Sequence, residues 1–155
     1  MATRSTIALE FADGTVQQVY CHWDGYLANN GKLLLENYMD PFKVRDLIDL
    51  GDISSLRPEI GVAHPFSKWD TEMTPAEYEA QFANMTTFYG RDRNESGVGP
   101  KKFADFQDYA VNHQPEEYEY ILRTDGNWYV QFYKSGENYV LLTEAFEMEK
   151  ETEEV

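Results

Sequence analysis

A single cysteine, Cys21, stands in the 155 residues. It excludes an internal disulfide and any zinc site built on paired cysteines. Cations are scarce as well: 13 Lys and Arg against 28 Asp and Glu leave a net charge of −15. Such a chain repels the phosphate backbone and anionic lipid, which disfavours direct binding to nucleic acid or to a membrane surface. No stretch approaches the roughly 18 apolar residues that suggest a membrane span. The opening MATRSTIALEF has no apolar core of signal-peptide length, so a soluble, cytoplasmic protein is expected. Glycine-rich phosphate loops, H-E-x-x-H and G-x-S-x-G are missing too, and with them the signatures of several enzyme classes.

What is present is a globular composition. Hydrophobic residues make up 42% and aromatics 15%, with 11 Tyr, 9 Phe and 3 Trp. The length suits one domain with a sizeable core. Tyrosine joins an apolar body to a polar tip, which suits half-buried sheet faces and binding surfaces alike.

Both ends of the chain read as strands. STIALEF alternates, with Ile7, Leu9 and Phe11 on one face, and Asp13-Gly14 signals a hairpin turn into VQQVYCHW. EYEYILR and WYVQFYK flank a second Asp-Gly turn, and ENYVLLTEAF reads as one more strand. Between the ends lie helices. Leu27, Leu34 and Tyr38 form an apolar stripe. Asp40 caps a helix that starts at Pro41, buries Val44, Leu47 and Ile48, and stops at Gly51. DISSLRPEIG reads as a loop. Thr74 and Glu77 spell a capping box around Pro75. KFADFQDYAVNH predicts a short helix with Phe103, Phe106 and Ala110 inward. The expected fold is therefore α+β: one domain over 1–146, an antiparallel sheet from the N-terminal hairpin and the C-terminal strands, packed against several short helices. Residues 147–155 are expected to form a flexible acidic tail. From Glu144 onward six Glu face one Lys, so most of the negative charge lies elsewhere on the chain.

The densest chemistry is YCHWDGY, residues 20–26. Neighbours in a strand point to opposite faces, so Cys21 and His22 cannot form a nucleophile pair together. Cys21 shares a face with Val19 and Trp23 and is expected to be a small core residue. His22 and Asp24 are spaced to offer two metal ligands, but Asp24-Gly25 also suits a turn into the first helix. No metal or cofactor is expected. Arg91 and Arg93, in YGRDRNE, suit bidentate contact with an anionic ligand, or ion pairs with nearby carboxylates. If they meet the CHWDGY turn, then His22, Trp23, Asp24, Tyr26, Arg91 and Arg93 would form a small-ligand or nucleotide pocket, with Trp23 or Tyr26 stacking on a base or sugar. No carboxylate pair is singled out for acid–base work, and the chain reads as non-enzymatic.

An acidic surface serves solubility, or it attracts a basic protein surface, including one that normally holds nucleic acid. Candidate partner contacts are Glu116, Glu117 and Glu119 beside Tyr118 and Tyr120, with the acidic tail. MATRSTIA, DGTVQQVYCHWDGYLANNGKLLLENY, KVRDLIDLGDISSL and FYGRDRNE together resemble a family of small proteins of bacteriophages and bacterial mobile elements. That family carries no assigned activity, so no residue role transfers from it. The resemblance implies an accessory protein made inside a bacterial cell. The expected partner is then a bacterial host or defence protein, inhibited by binding, with carboxylates standing where DNA phosphates would.

Overall fold

The computed structural model describes residues 2–153, with side chains as far as Lys150. In chain order come β1 (Ser5–Glu10), β2 (Val16–Cys21), a π-helical turn (Leu27–Gly31), α1 (Lys32–Asn37), α2 (Pro41–Asp49) and β3 (Ile53–Ser55). A 3-10 turn (Lys68–Asp70), α3 (Pro75–Phe82), β4 (Thr87–Phe88), β5 (Lys101–Phe103) and α4 (Phe106–Asn112) follow. The chain ends with β6 (Tyr118–Leu122), β7 (Trp128–Phe132), a 3-10 turn (Tyr133–Ser135), β8 (Val140–Leu141) and α5 (Leu142–Glu153). One sheet gathers the strands in the order β4-β3-β2-β1-β6-β7-β8, and β5 shares the outer edge of β2 with β3. The architecture is α+β, and the sheet is mostly antiparallel. Two joins are parallel, β1 with β6 and β2 with β3. The chain passes from β2 to β3 through α1 and α2, whereas β6 reaches β1 only after β2, β3, β4 and β5 have joined the sheet.

Local chemistry accounts for the turns and caps. Gly14 sits at φ 92°, and Asp13 Oδ1 accepts from the Thr15 amide and hydroxyl at 3.0 and 2.7 Å. Gly126, at φ 85°, turns β6 into β7. Asp40 accepts from the Phe42 amide at 2.9 Å and opens α2. Thr74 and Glu77 exchange both bonds of their capping box, at 3.1 and 3.2 Å.

Alternation along the strands gives the sheet two unlike faces. One carries Ile7, Leu9, Val19, Cys21, Tyr118, Tyr120, Leu122, Trp128, Val130 and Phe132, and these pack on Leu27, Leu34, Tyr38, Val44, Leu47, Ile48, Leu142 and Ala145. The few polar atoms on this side are matched. Trp128 Nε1 donates to the Tyr38 carbonyl at 2.9 Å, and the Tyr38 and Tyr120 hydroxyls donate to the Arg57 and Gly25 carbonyls at 2.6 Å. The other face has a smaller apolar centre of Ala8, Val16, Ile121 and Tyr109, the last supplied by α4.

Three expectations are corrected. ENYVLLTEAF does not form a long strand. Only Val140 and Leu141 pair, and α5 begins at Leu142. Leu142 and Ala145 recur at helical spacing, which lets both reach the apolar face of the sheet. The segment from 147 is likewise not a free tail where it is described. It continues α5, and Met148 packs against the core. Glu154 and Val155 lie outside the described residues. DISSLRPEIG, read as a loop, contains β3.

Candidate functional site

The residues of the expected ligand pocket are held in separate tasks. Cys21 is fully buried, with Asn30 Nδ2 3.4 Å from its sulfur. Burial pushes its thiol up to about 11, so the reactive thiolate is suppressed. His22 Nδ1 is bonded to the Tyr20 hydroxyl at 2.7 Å, and Trp23 meets the His22 ring edge-on at 4.7 Å. Asp24 turns the chain at φ 55°, while its carbonyl accepts from Asn29. Gly25 is required here because a Cβ would lie 2.6 Å from Ser5 Cβ. Trp23 and Tyr26 stay exposed.

Arg91 holds its own loop together. Its guanidinium donates to the carbonyls of Thr86 and Gly61 at 2.9 and 3.2 Å and pairs with Asp92 at 3.0 Å. Asp92 is buried and also accepts from the His64 and Phe88 amides at 3.1 and 2.8 Å. Arg93 lies over Phe66 at 5.0 Å and pairs with Glu95 at 3.4 Å. These are the loop-tying ion pairs, with no guanidinium fork left open at Arg91. Among the described residues, no three His, Cys, Asp or Glu side chains converge as a metal ion would need.

The expected partner contacts fare differently from one another. Glu117 is exposed and accepts from the Arg4 amide at 3.3 Å. Glu116 is half-buried. Tyr118, Glu119 and Tyr120 are buried in β6, at the middle of the sheet. They offer a partner almost no surface, because β1 and β7 flank β6, Tyr118 and Tyr120 enter the core and Glu119 lies at the bottom of a cleft.

Glu119 is engaged from within. On the face opposite Tyr118 and Tyr120 it receives His113 Nε2 in a very short hydrogen bond. His113 Nδ1 lies 2.6 Å from the Tyr109 carbonyl. Both ring nitrogens therefore face oxygen atoms, an arrangement that favours the doubly protonated ring. Burial opposes the charged ring, but the hydrogen bond and charge of Glu119 overcome it and raise the His113 pKa. The pair forms the floor of a cleft of about 670 Å³ that is also lined by Phe106, Arg123, Tyr129 and Tyr139. With both nitrogens engaged, His113 has no free site for proton transfer. Arg123 is also committed, gripping Glu10 at 3.1 and 3.2 Å and lying 3.7 Å over Phe106.

The surface that remains open is elsewhere. Trp69 is 80% exposed. It rides on a turn closed from both sides: Ser67 Oγ accepts from the Trp69 amide at 3.2 Å, and Asp70 accepts from the Ser67 amide at 3.1 Å. Behind it lies a groove of about 240 Å³ lined by Phe66, Tyr78, Phe82 and Met85 together with Arg57, Lys68 and Glu79. The segment from 67 to 80 carries Asp70, Glu72, Glu77 and Glu79 against Lys68 alone. Sequence reasoning passed over Trp69, although a tryptophan inside S-x-x-D, a turn-capping pattern, was a usable signal.

No protein-family model, curated protein or solved structure matches this chain.

Proposed function

We propose that the protein is a non-enzymatic binding protein that engages a basic surface of another protein, with Trp69 as its anchor. The observation that carries this reading is the large exposed indole on a doubly capped turn, backed by an aromatic groove. Exposing so large a ring to water is unfavourable, whereas burying it in a partner's pocket is favourable, and tryptophan anchors are typically worth about 2 kcal/mol or more. Four carboxylates on the same segment favour Arg and Lys across the interface and raise the association rate. A partner guanidinium can also stack on the indole.

The net charge of −15 extends the same preference to the whole molecule. With the resemblance to phage and mobile-element proteins, it favours a bacterial host or defence protein whose basic site handles nucleic acid. The nucleotide-pocket alternative is weaker, since Arg91 is tied into its own loop.

The test is capture from bacterial lysate by the immobilised protein and by Trp69→Ala in parallel. The expected result is a partner retained by the first, lost by the second, and displaced by duplex DNA or by raised salt. Equal capture by both forms would exclude Trp69 as the anchor. Simultaneous binding of DNA and this protein to the partner would exclude mimicry.

A further inference from the structure

The polar face of the sheet encloses a second cavity, on the β2 side of α4. It has a volume of about 280 Å³ and is walled by Thr6, Gln18, Tyr20, Asp52, Lys101 and Glu116. Gln18 is only 3% exposed, yet its Nε2 has no hydrogen-bond partner, whereas the equally buried Thr6 hydroxyl lies beside that of Tyr109. Leaving a buried polar group unmatched costs roughly 1–3 kcal/mol, so the Gln18 amide calls for an occupant that supplies an acceptor.

The charged walls narrow its chemistry. Asp52 and Glu116 are carboxylates partly withdrawn from water, and burial pushes both pKa values up. Asp52 Oδ1 accepts from the Tyr20 amide at 3.0 Å. Lys101 is the cation of the lining and acts on Asp52 through charge. A cavity with carboxylates, an ammonium and an unmatched amide donor favours a molecule bearing both charges at short range. The Tyr20 hydroxyl is already bonded to His22, and the lining offers no broad apolar wall for a large side chain.

We propose that this cavity binds a small polar zwitterion of the α-amino-acid class. The ligand ammonium faces Asp52 and Glu116. The ligand carboxylate faces Lys101 and takes the Gln18 Nε2 hydrogen bond. This site goes beyond the partner-binding reading and does not depend on it.

The twenty α-amino acids, each alone at millimolar concentration, are the probes. The readouts are the ¹H–¹⁵N signal of the Gln18 side-chain amide and the melting temperature. At least one polar amino acid should shift the Gln18 signal saturably and raise the melting temperature. Lys101→Met and Glu116→Gln, both near the surface and folded by circular dichroism, should each weaken that affinity by about tenfold, the loss of roughly 1.4 kcal/mol. The proposal is overturned if no amino acid moves the Gln18 signal, which would mean that water alone fills the cavity. It is also overturned if both variants bind as the parent does. Binding of ethylamine or acetate as tight as that of the amino acid would exclude zwitterion recognition.

Discussion

The two faces of this sheet are made from alternate residues of the same strands, and they solve different problems. Along β6, Tyr118, Tyr120 and Leu122 enter the large core, whereas Glu119 and Ile121 enter the small one. The large core lies under the Leu27–Gly31 turn, α1, α2 and α5, and its polar atoms find carbonyl partners. The small core is roofed by α4, a helix of seven residues, and is interrupted by two polar cavities. Unmatched buried atoms fall on that side as well: Thr6 Oγ1, Gln18 Nε2 and the Tyr109 and Tyr139 hydroxyls. One face supplies stability. The other holds polar groups in low-dielectric surroundings, where a small ligand gains most from meeting them.

The largest effect is expected on the apolar face. Trp128→Ala removes a buried indole and its bond to the Tyr38 carbonyl and should cost about 3–5 kcal/mol in chemical denaturation. A finer comparison uses neighbours in β6. Leu122→Ala and Ile121→Ala delete similar side chains from opposite faces, both fully buried. The Leu122 change should be the more damaging, within the usual range of about 2–5 kcal/mol, because a short helix beside cavities can settle into the space that Ile121 leaves. Equal losses would mean that the polar face is packed as rigidly as the apolar one.

A smaller effect, with a defined sign, comes from His113. Its folded pKa is raised by Glu119. The protonated ring therefore contributes stability that is fully present below the ordinary histidine value near 6.5 and is lost as pH rises through the folded pKa. The melting temperature should fall across that interval. In His113→Gln, which keeps a donor and loses the charge, that part of the slope should disappear. An unchanged slope in the variant would assign the pH dependence to other groups.

How much of this was legible depended on the range of the interactions. Asp13-Gly14, Asp40-Pro41 and Thr74-Pro75 act within a few residues, and each turn or cap formed where its sequence points. The stripe of Leu27, Leu34 and Tyr38 is buried as its spacing requires. The parallel pairing of β1 with β6 joins Ser5 to Tyr118, and no local pattern encodes a partner so distant. LLTEAF fits either a strand or a helix, and contact of Leu142 and Ala145 with the sheet decides for helix. Glu119 was the most misleading position. Between tyrosines in an acidic run it reads as surface, and only His113, on a separate element, makes its burial affordable. Trp69 misled in the opposite sense, since an aromatic residue is expected inside.

The smallest expected effect is the most diagnostic of the difference between the faces. Tyr109 is fully buried, and its hydroxyl makes no well-aligned hydrogen bond, with only the Tyr139 and Thr6 hydroxyls beside it. Its ring does the packing, edge-on to Phe103 at 5.5 Å and stacked on His113 at 4.7 Å. Tyr109→Phe keeps those contacts and removes the unmatched oxygen, so stability should stay the same or rise by up to about 1 kcal/mol. Tyr38→Phe on the apolar face is the matching control, because its hydroxyl donates to the Arg57 carbonyl at 2.6 Å. That change should cost about 1 kcal/mol and leave the carbonyl with only the longer bond from Thr86 Oγ1 at 3.2 Å. If Tyr109→Phe proved as costly as Tyr38→Phe, the Tyr109 hydroxyl would have to be matched in solution, with water reaching the polar face from one of its cavities. Water there would also satisfy Thr6 and Gln18 and so remove the strongest reason for a ligand beside them.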